Sequence, residues 1–320
     1  MTGLNNKQKW IVSSSFCWVP PANQEFYPHG DMPGDKIRIQ EEHIAKAALL
    51  FPSLLTQIQE VIKIQRKAVI CICGGSGVGK SEVASLLGFY FQQHNLNVYV
   101  LSGDNYPHRI PKYNDAERLR IFRTNAIKGM IKESVFTENR FSKIRQLQLV
   151  NDDANVKHIA QIPWFASYIE NGRKGLQKYL GSQEEIDFEF LSSIVENFKA
   201  GEDRICIKHM GREEGELWYN LQDFSQTDIL IVEWTHGNSD LLTGVDIPIF
   251  LNSTPQETLA HRRSRNRDIG IDSPFTTMIL KIEQEMLHQQ AHKAKMIVSN
   301  QGELLSYEEY CRVMQEDEYE

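Results

Sequence analysis

Between Gly74 and Ser81 the chain reads GGSGVGKS, a full match to the pattern G-x-x-x-x-G-K-[ST], and no other feature limits its fold as tightly. The run before it, AVICIC (68–73), is continuously apolar, as a strand covered on both faces of a parallel sheet requires. The residues after it, from Lys80 to about His94, carry helical spacing. Strand, Gly-rich turn and helix in that order form a phosphate cradle. Gly74, Gly77 and Gly79 let the backbone turn so that its N–H groups converge on phosphate oxygens, with Gly75, Ser76 and Val78 completing the loop. The positive end of the helix adds to the same point. Lys80 can then reach the β- and γ-phosphates of ATP, and the Ser81 hydroxyl can ligate Mg²⁺.

The rest of the chain supplies the sheet that such a cradle needs. NVYVLSGD (97–104), RICIKH (204–209), DILIVEW (228–234), IPIFLN (247–252) and KMIVSN (295–300) each read as strands, with helical patterns between most of them. This alternation predicts an α/β fold of the P-loop NTPase type: a doubly wound, mainly parallel sheet with helices on both faces. From about 113 to 181 the periodicity is helical and no strand is convincing, which predicts a helical insertion whose arginines (Arg118, Arg120, Arg123, Arg140, Arg145) read as a solvated face. Residues 1–66 read as an irregular arm, carrying Trp10, Phe16 and Trp18, and a helix from Glu41 broken or kinked near Pro52. Residues 67–320 then form the P-loop domain, ending in a solvated acidic tail, QEDEYE.

Composition excludes several classes. The 35 Lys and Arg against 42 Asp and Glu leave a net charge of −7, which does not suit a nucleic-acid surface. Apolar runs stop short of the ~20 residues of a membrane span, and MTGLNNKQKW has no signal-like apolar segment, so a cytoplasmic location is expected. Five cysteines (Cys17, Cys71, Cys73, Cys206, Cys311) form neither CxxC pairs nor a zinc set and read as buried thiols.

A cradle alone does not separate kinases from switches and motors, so its partners decide. Neither an N-K-x-D guanine-reading motif nor an L-S-G-G-Q segment is present. Acidic residues end two further strands, Asp104 and Glu233, and in an open α/β sheet the carboxyl ends of the strands face the ligand. Two carboxylates beside a triphosphate suit Mg²⁺ coordination and proton removal from an attacking hydroxyl. His108 and Arg109 follow Asp104 closely, and a guanidinium there suits an anionic acceptor.

Together these motifs resemble the phosphoribulokinase/uridine kinase family of P-loop small-molecule kinases. Gly103-Asp104-Asn105-Tyr106-Pro107-His108-Arg109 is similar to its G-D-S-F-H-R, with Pro107 extra, and Glu233-Trp234-Thr235-His236-Gly237 to its E-G-L-H-G. His261-Arg262-Arg263-Ser264-Arg265-Asn266-Arg267-Asp268 looks like its Arg-rich lid helix. The resemblance covers about 68–110 and 185–300. It implies that Asp104 is the base on the acceptor hydroxyl, that Glu233 organises Mg²⁺ with Ser81 and Asp104, and that Arg262 and Arg263 clamp the transferring phosphate beside Lys80. Asp268 would hold the lid or the metal. Tyr106, His108, Arg109, His209 and His236 become acceptor-side candidates, with Lys208 and Arg212 on the rim of a hairpin. Leu180-Gly181-Ser182-Gln183 stands where uridine kinases carry an F-D-H-P-like element, and Trp234 replaces a glycine.

The expectation is therefore a kinase that moves the ATP γ-phosphoryl group to a hydroxyl of a small molecule: a sugar, polyol or sugar phosphate, with an anionic acceptor favoured by Arg109. No nucleic-acid or membrane partner is expected, and a homodimer is the assembly to test. The alternatives are a nucleotide-dependent regulatory ATPase and a kinase for a nucleoside or adenylylsulfate-like acceptor.

Overall fold

The computed structural model describes residues 27–34, 36–265 and 273–317. Trp10, Phe16, Cys17, Trp18, Asn266, Arg267 and Asp268 lie outside the described residues, as does the side chain of Arg265.

The apolar runs become strands of one six-stranded sheet. These are β1 (Ala68–Gly74), β2 (Val98–Ser102), β5 (Ile229–Glu233), β6 (Ile247–Leu251), β7 (Met296–Val298) and β8 (Leu304–Leu305), in the order β2-β5-β1-β6-β7-β8. All neighbours pair in parallel except β8, which is antiparallel to β7. The central strand is β1, and period-two alternation sends its side chains to two different cores. Ala68, Ile70 and Ile72 face one with Ile229 and Ile231, whereas Val69 and Cys71 face the other with Leu230 and Val232. The first core is closed by α1 (Glu41–Gln65) and α2 (Lys80–Gln93), the second by α6 (Phe188–Ala200). Burial on both faces is why these strands read as unbroken apolar runs rather than alternating ones.

Helix α1 buries His43, Lys46, Ala47, Leu50, Phe51, Leu54, Leu55 and Ile58 along one face, while Ile44, Ala48, Val61 and Ile62, at helical spacing in the sequence, are only half-buried. It continues through Pro52 as one helix of 25 residues, so the expected break is absent. By length and composition α1 could cross a membrane, but its apolar stripe is occupied by the core just described. From Pro111 to Tyr179 the chain forms α3 (Pro111–Lys132), α4 (Glu138–Leu149) and α5 (Phe165–Tyr179). Phe122, Ala126, Met130, Phe165, Tyr168 and Leu176 make a core of their own with Met278, Ile279 and Ile282 of α8 (Pro274–Gln290). This bundle stands over the carboxyl end of the sheet.

Three sequence expectations change here. RICIKH is not part of the parallel sheet: β3 (Arg204–Met210) pairs only with β4 (Leu217–Asp223), as an antiparallel hairpin. Strand β4 is exposed along its length, so it lacks the apolar run that marks the others. The thiols of Cys71 and Cys73 are buried, but Cys206 is exposed on the hairpin and Cys311 half-buried. The first half of the acidic tail is the last turn of α9 (Tyr307–Asp317).

Candidate active site

The cradle runs from the end of β1 to the start of α2. Gly79 caps α2 in the left-handed region (φ 91°), and a Cβ there would sit 2.6 Å from the His43 ring, so conformation and space both demand glycine. Lys80 Nζ donates back to the Gly75 carbonyl at 3.0 Å, bending its ammonium over the loop. Ser81 Oγ donates to Glu233 Oε2 (3.1 Å), and Ser102 Oγ donates to Glu233 Oε1 (2.7 Å). Parallel registry explains this meeting, since Glu233 is level with Ile72 of β1 and Ser102 of β2. Glu233 is only 4% exposed, a buried carboxylate held by two hydroxyls at the mouth of the cradle. The Arg262 side chain, on α7 (Leu259–Arg265), lies against Gly77, and its Nη2 donates to the Pro255 carbonyl at 2.7 Å.

Beyond β2 the chain makes a 3-10 turn, Gly103–Asn105. Gly103 lies flat on the Trp234 indole where no Cβ would fit, which accommodates the tryptophan that stands in place of a glycine. Asp104 is exposed on this turn and faces a cavity of about 560 Å³, within the range of small-molecule pockets. Ser76 of the cradle lines the same cavity, as do Trp234, Thr235 and His236 after β5, and residues of α3 and α8.

Its walls are charged and internally paired. Arg118 Nε donates to Glu185 Oε1 at 2.6 Å, and Glu283 lies 3.8 Å from the same guanidinium. Glu185 also accepts from Asn114 Nδ2 (3.0 Å) and from the Gly181 N–H (2.7 Å). Burial alone would raise the Glu185 carboxyl, but the Arg118 guanidinium and the Gly181 N–H outweigh it and hold it below its usual value. Burial pushes the Glu283 carboxyl up, and it pushes His236 down to about 4, so the imidazole is neutral near pH 7. Arg123 grips Asp153 through both oxygens, at 2.9 and 2.7 Å, and Tyr168 donates to the same carboxylate. Among the described residues, five carboxylates line the cavity (Asp104, Asp115, Asp153, Glu185, Glu283) against two guanidiniums, both already engaged.

The structure brings Gly74 to Ser81, Glu233, Asp104, Arg262 and His236 to this end of the sheet. Other candidates fall elsewhere. Tyr106 is fully buried in the core against α6, so no acceptor reaches it. His209 is taken up by the Asp31 carbonyl (3.0 Å) and Asn220 Oδ1 (2.6 Å) and stacks on Trp218, outside the cavity lining. His108 lies 2.9 Å from the Gln183 carbonyl, and Arg109 donates to the Tyr179 hydroxyl at 3.1 Å; neither lines the cavity. Arg109, on which the anionic-acceptor expectation rested, thus engages Tyr179 rather than this cavity. Lys208 donates to the Pro107 carbonyl at 2.7 Å, tying the hairpin to the turn rather than rimming the cavity. Arg263 is exposed. Arg118 and Arg123 are not a solvated face: they are the cations of the cavity wall.

Sequence reasoning missed Glu185, Glu283, Arg118 and Asp31. Each acts through a partner 67 or more residues away, which no local spacing reveals. The sequence signal for Arg118 is faint: two arginines five apart on α3, of which both turn inward.

Residues 53–141, which span the cradle, match the family described as Zeta toxin, a different family from the one the motifs resemble. Over 238 residues the chain is 38% identical to the bifunctional alpha-galactosidase/sucrose kinase AgaSK of Mediterraneibacter gnavus. That match takes in 74% of this chain and 20% of the relative, so the chain spans about a fifth of the length of the curated protein it matches. Among solved structures, D-glycerate 3-kinase from Cryptococcus neoformans var. grubii aligns with a TM-score of 0.45 at 10% identity, over 84% of this chain and 99% of that one. A candidate fructose transport system kinase from Silicibacter sp. TM1040 aligns with a TM-score of 0.47 at 14% identity, over 77% and 94%.

Proposed function

We propose that this protein is an ATP- and Mg²⁺-dependent kinase that phosphorylates a hydroxyl of a neutral sugar. One observation carries the reading: Ser76 of the cradle and Asp104 line the same cavity, so a molecule held there presents its hydroxyl to the phosphate end of a cradled nucleotide. Asp104 is the group to accept the hydroxyl proton as the oxygen attacks the γ-phosphorus and the bond to the β-phosphate oxygen breaks. Lys80, freed from the Gly75 carbonyl, neutralises charge on the β- and γ-oxygens, and Arg262 with Arg263 of the lid adds to this.

The donors suit the cation. Ser81 Oγ and Glu233 are hard oxygen ligands already in contact, and among the described residues no cluster of three His, Cys, Asp or Glu offers a self-sufficient metal cage. That fits an ion which arrives with the triphosphate and keeps part of its water, as Mg²⁺ does. When bound, it would supply neutralising charge to the phosphates.

The acceptor class rests on the cavity's charge and on the relative. A wall with surplus carboxylate offers many acceptors to sugar hydroxyls and repels a second phosphate. The relative that shares 38% identity is named for two activities, and sucrose phosphorylation is the one that requires a phosphate cradle of this kind. The test is coupled ADP release with a panel led by sucrose, its component hexoses and their phosphates. Asp104→Asn is expected to lower kcat by about 10² or more while the KM for ATP stays within a few-fold. ATP turnover that responds to no small hydroxyl compound would favour the regulatory ATPase instead.

A further inference from the structure

The segment just before α1 crosses the carboxyl ends of β2 and β5, and its contacts there are polar and specific. Tyr27 plugs the first core, its ring tilted against Phe89 with centroids 5.2 Å apart, and the chain then passes Gly30 so close to Glu233 that a Cβ would lie 3.3 Å from Oε1. Asp31 follows. Its Oδ1 accepts from the Ser102 N–H at 2.7 Å and from Asn105 Nδ2 at 2.9 Å, and its Oδ2 accepts from the Tyr99 hydroxyl at 3.0 Å. Its carbonyl lies 3.0 Å from His209 Nδ1 of the hairpin.

Ser102 and Asn105 bracket the pair Gly103-Asp104. Asn105 is itself pinned from the far side, because its Oδ1 accepts from the Met210 N–H of β3 at 2.9 Å. One carboxylate therefore fixes both ends of the turn that presents Asp104, and Ser102 links the same turn to Glu233.

We propose that Asp31 is a positioning residue for phosphoryl transfer: it holds the turn 102–105 so that Asp104 faces the acceptor cavity at a fixed distance from the cradle. The proposal rests on the kinase reading for its kinetic consequence, but not for its structural one. A carboxylate is the suitable side chain because it accepts from three donors at once, whereas an amide would turn an N–H₂ group toward at least one of them. Burial raises the Asp31 carboxyl to about 6, which marks an anion kept in a place that disfavours it. Asp31 does not touch the cradle, so its loss should spare nucleotide binding.

The experiment uses Asp31→Asn, Asn105→Ala and the double variant in the full chain, with Asp31→Ala added where it folds. Expected are a kcat lowered about tenfold or more, a KM for ATP within about threefold of wild type, and a double variant no worse than the poorer single one, since the two residues act as one unit. Amide hydrogen exchange is the second readout. Residues 102–106 should exchange about tenfold faster in Asp31→Asn while α2 keeps its protection. A lower melting temperature with unchanged kcat would overturn the proposal, and so would unchanged exchange at 102–106. If wild type phosphorylates no acceptor but the exchange result is obtained, the kinase reading fails and the clasp on the turn stands.

Discussion

Lys80 and His236 illustrate how far single side chains depend on what surrounds them. With the Gly75 carbonyl as its partner, the Lys80 ammonium is already held over the loop that would carry phosphate. Lys80→Ala is expected to cut turnover by at least about a hundredfold, because charge builds on the β- and γ-oxygens as the bond breaks. Unchanged turnover in a folded variant would refute the cradle reading. His236 makes a prediction about stability. Its folded-state value is about 4 against an ordinary 6.5, so between these values the unfolded chain takes up a proton that the folded chain refuses. Stability from this group is complete above about pH 6.5 and is lost as the pH falls toward 4, by at most about 3 kcal/mol. His236→Gln should flatten that part of the acid limb, measured as the difference in urea midpoint between pH 7 and pH 4.5. Asp31 works in the opposite sense over the same window, so only the comparison with wild type isolates His236. At this scale the sequence was legible where residues act through neighbours in the chain, as in 74–81. It was opaque for Asp31 and Glu185, whose roles are set by groups that folding brings in from elsewhere.

Elements show the same division with a different cause. Strands covered on both faces announce themselves as apolar runs, and β1, β2, β5, β6 and β7 all do. The hairpin of β3 and β4 is bound by backbone pairing and leaves Leu217, Trp218, Tyr219 and Leu221 between 44 and 64% exposed, so patterning says little about it. Helix α1 was legible as a stripe, yet the stripe hides a charge. Lys46 is 3% exposed, burial drives its ammonium pKa down, and the fields of Glu42 and Glu257 only partly oppose this. Replacing a buried, poorly compensated ion with an apolar side chain of similar length generally gains stability. Lys46→Met is therefore expected to raise the melting temperature by about 1.5 °C per kcal/mol recovered, read by calorimetry at pH 7. A drop would mean that the ammonium is better satisfied than its burial implies. The same helix constrains the cradle, for the His43 ring occupies the space beside Gly79. Gly79→Ala should lower ATP affinity at least about tenfold, through both the positive φ and the contact with His43. An equilibrium nucleotide titration would detect it.

On the scale of the whole molecule, the question is what the helical bundle adds to a sheet that already holds phosphate. Arg118 and Arg123 come from α3, Glu283 from α8, and Glu185 from the chain entering α6, so the bundle builds the far wall of the acceptor cavity. Because both guanidiniums are tied to carboxylates, the wall formed by the described residues offers hydrogen-bond acceptors in excess and, among those residues, no cation outside an ion pair. A phosphorylated acceptor would bring about two further negative charges into this space, where the arginines among the described lining residues are already engaged. A neutral sugar would instead donate its hydroxyls to carboxylates and rest an apolar face on Trp234 or Phe275, both of which line the cavity. The expectation is that kcat/KM for a neutral sugar exceeds that for its own phosphate ester by at least about tenfold, roughly 1.4 kcal/mol, and that the gap narrows as salt screens the repulsion. Arg109→Ala, whose guanidinium faces Tyr179 rather than the cavity, should leave the acceptor KM within about threefold. A preference for the ester, abolished by that same substitution, would show that the cavity opens differently around a bound molecule and would restore the sugar-phosphate reading.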